Sequence, residues 1–299
     1  MKLHVGRLIL LIFTTLLMAS CHGDTLLPNY SGTYCISAHD HVLQISQSGL
    51  SVNFTLTADT LTLTGTGTVF GTQMTLHTAV EGQEMVLTLV FANDGNSFTG
   101  EYTLGGTTTS PYNGTKGACP DNYPVEEISL ISPYVNYADM ASIQKGFGCN
   151  VVSPWEDHSG LDIVPAGNLM PFRAMAAGKV VEVNATRNQG NNLWMTSVIV
   201  KYNSTYRILY AFENLTPVEA DRDIQLANLS VTPGQMVAQG EILGRLHTVP
   251  GTYYHVHISL IRNGERICPD PYLTADARDG INNLIHVNYP ALQMCYPCN

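Results

Sequence analysis

Residues 253–260 read YYHVHISL. Side chains in an extended segment alternate between faces, so His255 and His257 share one strand face on either side of Val256. Histidine is a poor filler for an apolar strand, and two on one face call for a partner. Residues 158–162 supply one: HSGLD. If that segment is extended, His158 and Asp162 point the same way, and Gly160 between them leaves space for a metal and its bound solvent. Side by side, the two segments bring four polar groups together. Two imidazoles and one carboxylate can bind zinc and leave a fourth position open, the arrangement of catalytic rather than structural zinc. The remaining histidine would then sit beside the open position. Taken singly each motif is weak, because H-X-G-X-D arises by chance and an H-X-H strand is more often a solvated face.

The composition around these motifs points to a mainly β protein. The chain has 299 residues, 44% hydrophobic and only 13% charged. That charged share is about half the usual. No long stretch has clean helical periodicity, and threonine, glycine and valine are plentiful. From Tyr30 to Lys116 short runs such as HVLQISQ, SVNFTLT, TQMTLHTAV and SFTGEYTL alternate polar and apolar residues. Glycine breaks separate them, with the clearest hairpin turn at Asn93-Asp94-Gly95. The pattern predicts an N-terminal antiparallel β-meander or small barrel over 30–119, serving by default as a spacer or protein-binding module. A linker near 118–124 leads to a second β-rich domain over 125–275. A Cys-containing tail, 276–299, reads as irregular. The formal charge is −10, with 14 basic residues against 24 acidic. No basic block follows the N-terminus, which speaks against nucleic acid and anionic membrane surfaces as partners.

Residues 1–20 read as a signal peptide. Lys2 and Arg7 precede an apolar run from Leu8 to Met18, too short to span a bilayer comfortably. LLMASC at 16–21 resembles a bacterial lipobox, in which Cys21 would be lipidated and 21–29 would form a linker. The sequence thus predicts an exported protein of the periplasm or cell envelope, held to a membrane by a lipid anchor only. Seven cysteines are present. Setting Cys21 aside leaves Cys35, Cys119, Cys149, Cys268, Cys295 and Cys298, which can close three bridges in an oxidising compartment. Cys35 and Cys119 bracket the first domain and are candidates to pair; the connectivity of the rest stays open. Cys295-Tyr-Pro-Cys298 has the form of a redox motif, but no helix follows to lower a thiol pKa, so a structural bridge is expected.

Flanking stretches extend the two histidine motifs into a longer pattern. GFG at 146–148 precedes HSGLD. MPFRAMAAGKVVEV, VTPGQMVAQGEILGRL and YYHVHISLIRNGERICPDPYL follow in order. Together, from Ile143 to Leu273, they resemble the M23 family of zinc metallopeptidases, of the lysostaphin and LytM type. The resemblance implies an antiparallel β-sheet domain with Zn2+ bound by His158, Asp162 and His257. It implies that His255 is the catalytic histidine, as general base or in orienting the attacking water. It also implies a substrate: the peptide cross-links of bacterial cell-wall peptidoglycan.

One part of the family pattern is missing. The family's Tyr-X-His-Leu stretch corresponds here to YAFENL, 210–215, where Phe212 stands in place of the histidine. Matching Leu215 instead puts Asn214 there, after a two-residue insertion. Asn214 could donate a hydrogen bond and Glu213 could act as a base, making both candidate stand-ins. Losing one oxyanion donor costs about 3–4 kcal/mol in the transition state. The expected function is therefore a zinc-dependent metalloendopeptidase, with reduced activity if nothing replaces the histidine. The alternative is a catalytically degenerate relative that binds cell wall or activates a cell-wall amidase partner.

Overall fold

The computed structural model describes residues 28–58, 61–80, 82–109, 111–119, 127–148, 158–188, 191–288, 290 and 293–296. The signal segment, Cys21, most of its linker, the interdomain stretch 120–126, Cys149 and Cys298 lie outside the described residues.

The alternating N-terminal runs fold as the sequence predicts. β1 (Gly32–Ile36), β2 (His41–Ser48), β3 (Ser51–Ala58), β4 (Leu61–Phe70), β5 (Gln73–Val80), β6 (Gln83–Phe91) and β7 (Ser97–Leu104) are followed by the short β8 (Thr107–Thr109) and β9 (Gly114–Lys116). Consecutive strands from β1 to β7 pair antiparallel, and β9 bridges β1 to β7, closing an eight-stranded barrel with β8 attached to β7. Closure leaves little sheet edge: the ladder to β5 covers Thr66–Phe70 of β4, and the first half of that strand is paired on the β3 side alone. Leu43, Phe54, Leu56, Met74, Leu76, Leu87 and Leu89 fill the interior. Gly65 makes that packing possible, since a Cβ there would lie 2.5 Å from the Phe54 ring. A Cys35–Cys119 disulfide ties the first strand to the chain leaving the barrel, as the bracketing positions suggested.

The second domain is built on one sheet. Its strands are β10 (Met140–Lys145), β12 (Leu161–Pro165), β14 (Gly178–Arg187), β15 (Trp194–Lys201), β16 (Tyr206–Thr216), β17 (Met236–Val237), β19 (His255–Arg262) and β20 (Glu265–Ile267). Their order is β10-β12-β19-β16-β15-β14-β17, with β20 beside β19. Two smaller pairings complete the domain: β13 (Met170–Arg173) with β18 (Ile242–Leu246), and β11 (Phe147–Gly148) with β21 (Cys295–Tyr296). One sheet face carries Ile163, Val198, Tyr210, Phe212, Val256 and Ile258 into the core. Alternation sends the intervening residues to the other face, where the histidines lie.

Helix α1 (Glu219–Ala227) follows β16, and α2 (Ala275–Asn288) occupies the segment expected to be irregular. That expectation is corrected. Ala277, Ile281, Leu284 and Ile285 form a buried stripe at helical spacing. The stripe is thin and interrupted by Gly280, which hides it in the sequence. Gly280 is there because a Cβ would lie 2.6 Å from the Tyr134 hydroxyl. After α2 the chain returns as β21, and Cys295 bonds Cys268. Cys295 and Cys298 therefore do not pair with each other. No helix among the described residues is long and apolar enough to cross a membrane.

A compact ionic joint connects the domains. Asp40, in the turn after β1, accepts hydrogen bonds from Lys179 at 2.9 Å and Lys201 at 2.8 Å, all three side chains being largely buried. Beside it, His39 Nδ1 donates to the Val181 carbonyl at 2.8 Å. Removing one partner of a buried charge set leaves the others uncompensated. Asp40→Ala is accordingly expected to lower stability by about 3 kcal/mol, measured as a shift of the urea midpoint. A midpoint unchanged by the substitution would show that the joint carries no such coupling.

Candidate metal centre

The central feature of the second sheet is the position of β19 between β12 and β16. Asp162 is paired directly with His257, and on the other side Ala211 pairs with His257 and Glu213 with His255. Because strand neighbours in register share a face, this pairing alone brings Asp162, His255, His257 and Glu213 to one side of the sheet. His158 joins them from just outside β12, held in an isolated bridge with Gly148. The expected face-sharing of His158 and Asp162 is thus met, but by a bend before the strand rather than by one continuous strand.

The polar atoms converge closely. Oδ1 of Asp162 lies 3.1 Å from His158 Nε2, 2.9 Å from His257 Nδ1 and 3.4 Å from His255 Nε2. His158, Asp162 and His257 form the one metal-ligand group found among the described residues, with donor atoms within 4.8 Å of one another. Donors about 2.0–2.1 Å from a tetrahedral ion would be spaced by about 3.3 Å, so this set is near that size. Gly160 serves the site differently from the expected solvent space. A Cβ there would lie 2.7 Å from His257 Nε2 and 2.3 Å from the Ile258 carbonyl, so glycine lets β19 itself approach.

The electrostatics suit a ligand carboxylate. Burial pushes the Asp162 carboxyl up, but hydrogen bonds from His158 and His257 outweigh it and hold the group well below the usual carboxylate range. Burial lowers the His158 pKa, and the Asp162 carboxylate more than reverses that, for a net rise. A bound cation would replace these protons.

Outer contacts orient both histidine ligands. His158 Nδ1 donates to the Gly146 carbonyl at 2.6 Å, which presents Nε2 to the site. His257 Nε2 donates to Ser259 Oγ at 2.9 Å, and that hydroxyl donates to the Ser159 carbonyl at 2.8 Å, presenting Nδ1. Such partners fix tautomer and ring direction in metal sites. Ser259 was not anticipated from the sequence, although its place two residues beyond His257 on the same face was the available signal.

Of the two stand-ins, the structure brings only Glu213 to the site. Phe212 is fully buried on the core face, edge-on to Phe172. Asn214 is also fully buried and turned away, its Nδ2 donating to the Asp221 carbonyl at 3.3 Å. Glu213 Oε2 lies 3.3 Å from His255 Nε2. The two-residue insertion in the sequence is a bulge: Trp194 and Thr196 on β15 face Thr216 and Phe212 on β16. The site opens into a groove of about 610 Å³, lined further by Lys145, Met195, Leu209, Tyr253 and Arg266.

No family profile and no curated protein matches the chain. Solved structures similar to it include a zinc-containing peptidase from Vibrio cholerae, 12% identical with a TM-score of 0.36, the match covering 76% of this chain and 84% of that one. Lysostaphin is 20% identical with a TM-score of 0.31, over 44% of this chain and 48% of that one. An M23 peptidase from Pseudomonas aeruginosa is 15% identical with a TM-score of 0.29, over 86% and 97%. Likeness at this level bears no functional weight, which rests on the site's own geometry.

The tail strand bears on that geometry. β21 pairs β11, Phe147 N donates to the Met294 carbonyl at 2.7 Å, and Gly148 exchanges two hydrogen bonds with His158. Breaking the Cys268–Cys295 bond with Cys268→Ser and Cys295→Ser together should therefore weaken metal binding at this candidate centre about tenfold, the low end for losing groups that orient metal ligands. Titration against a competing chelator measures it, and unchanged affinity would separate the tail from the site.

Proposed function

We propose that this chain is an exported zinc-dependent endopeptidase that hydrolyses peptide cross-links of bacterial cell-wall peptidoglycan. The observation that carries the reading is the convergence of His158, Asp162 and His257, with donor atoms within 4.8 Å, in an open groove. Three protein ligands and access to solvent are what a hydrolytic site needs, whereas a structural zinc is closed by four. Zinc bound there would supply a water with a pKa near 7 and polarise the scissile carbonyl.

The chain's own residues set the rest. His158 and His257 are held in the tautomers that leave Nε2 and Nδ1 respectively as ligand atoms. The groove gives an extended peptide an apolar floor at Met195, Leu209 and Ala211, with Tyr253 at the wall beside His255. The Cys35–Cys119 and Cys268–Cys295 bonds suit an oxidising compartment, consistent with export. Lipidation at Cys21 would keep the protein at the membrane facing its substrate. The degenerate alternative, a binder or activator of amidases, is disfavoured by the intact ligand set.

The purified chain should take up zinc and cleave cross-linked muropeptides, lose activity to a chelator, and regain it on zinc addition. Asp162→Ala and His158→Ala should sharply reduce zinc uptake. Full zinc loading with no cleavage, where a related enzyme cuts, would overturn the peptidase reading. Zinc-free protein with stability unchanged by chelation would favour the amidase-binding role.

A further inference from the structure

We propose that Glu213 is the catalytic base of this site and that His255 is a hydrogen-bond donor, an exchange of the roles expected for His255. The inference rests on the peptidase reading above and assigns the proton transfer within it.

Three features lead to it. First, alternation along β16 puts Leu209, Ala211, Glu213 and Leu215 on the groove wall, so Glu213 is the one ionisable side chain that this strand presents there. The bulge opposite Met195 adds two residues to this part of β16, and bulges beside active sites commonly re-aim a side chain. Second, His255 Nε2 lies 3.3 Å from Oε2 of Glu213, its direct cross-strand partner. A carboxylate that binds no metal accepts hydrogen bonds, so the ring nitrogen facing Glu213 carries a proton. Third, His255 Nδ1 is buried with no hydrogen-bond partner. A proton there would be a buried donor left unmade, which is costly. Both observations put a proton on Nε2 rather than on Nδ1.

A ring held in that state has no lone pair facing the groove and cannot accept a proton from water there. Glu213 can. Its carboxylate keeps lone pairs beyond the one that accepts from His255, and it sits on the wall of the same groove. In the reaction, Glu213 takes a proton from the attacking water as the water oxygen bonds to the carbonyl carbon. The C–N bond then breaks, and Glu213 passes that proton to the leaving nitrogen, so that water is divided between the new carboxyl and the new amine. His255 Nε2–H, beside Glu213, is placed to donate to the oxygen that gains charge.

The place of the missing histidine on β16 is thus taken by Glu213, the donor role passes to His255 on β19, and Phe212 is free to pack in the core. Asn214 has no part in the chemistry.

The tautomer is read directly from long-range nitrogen–proton correlations of the zinc-loaded chain labelled with nitrogen-15 in histidine. The His255 resonance, assigned by its loss in His255→Gln, should show the Nε2–H form. The Nδ1–H form would overturn the proposal whether or not the protein cuts peptides. In the cleavage assay Glu213→Gln should retain wild-type zinc stoichiometry and affinity and an unchanged KM. Its kcat should fall by about 10²–10⁴, the range for a lost general base. Glu213→Asp should recover part of the loss. A kcat within threefold of wild type would refute the base role. Loss of zinc in Glu213→Gln would refute it also, by making Glu213 a metal-site support. If zinc-loaded wild type cuts nothing, the peptidase reading fails on its own, and the tautomer still decides the Glu213–His255 arrangement.

Discussion

Everything in the second domain depends on one register: Asp162 opposite His257, with β19 hydrogen-bonded on its other side to β16. A strand displaced by one residue turns every side chain to the opposite face. A slip of β19 would therefore send both histidines into the core and Val256 and Ile258 into water. The apolar face fixes the register because Val256 is fully buried and Ile258 and Leu260 nearly so. Core packing and ligand placement are two outcomes of one alignment, and neither can be changed without the other.

That coupling explains what the sequence made legible. The N-terminal barrel could be read because its strands alternate cleanly and consecutive strands pair. The shared face of His255 and His257 could be read because period-two alternation determines it, whereas His158 reaches the same side through a bend ahead of β12. Family likeness then joined segments far apart in the chain, which alternation alone cannot do.

What stayed hidden has physical reasons. Helix α2 was missed because its buried stripe has few apolar residues, so α2 owes its helical form to packing against the sheet more than to local propensity. The role of Gly160 was misjudged because close approach of a neighbouring backbone leaves no trace in a single sequence. The choice between Glu213 and Asn214 was open because alignment by motif cannot see a bulge. The Cys268–Cys295 pairing was open for a general reason: connectivity is set by tertiary distance, and adjacent cysteines such as Cys295 and Cys298 invite the wrong partner.

The pairing of β21 with β11 has a consequence for biosynthesis. His158 leaves the ribosome long before residues 294–296, which brace Phe147 and its own bridge partner Gly148 and are locked covalently through Cys295. A nascent or still-reduced chain would hold that imidazole loosely. Maturation of the centre would thus await both translation through residue 296 and oxidation of the Cys268–Cys295 pair.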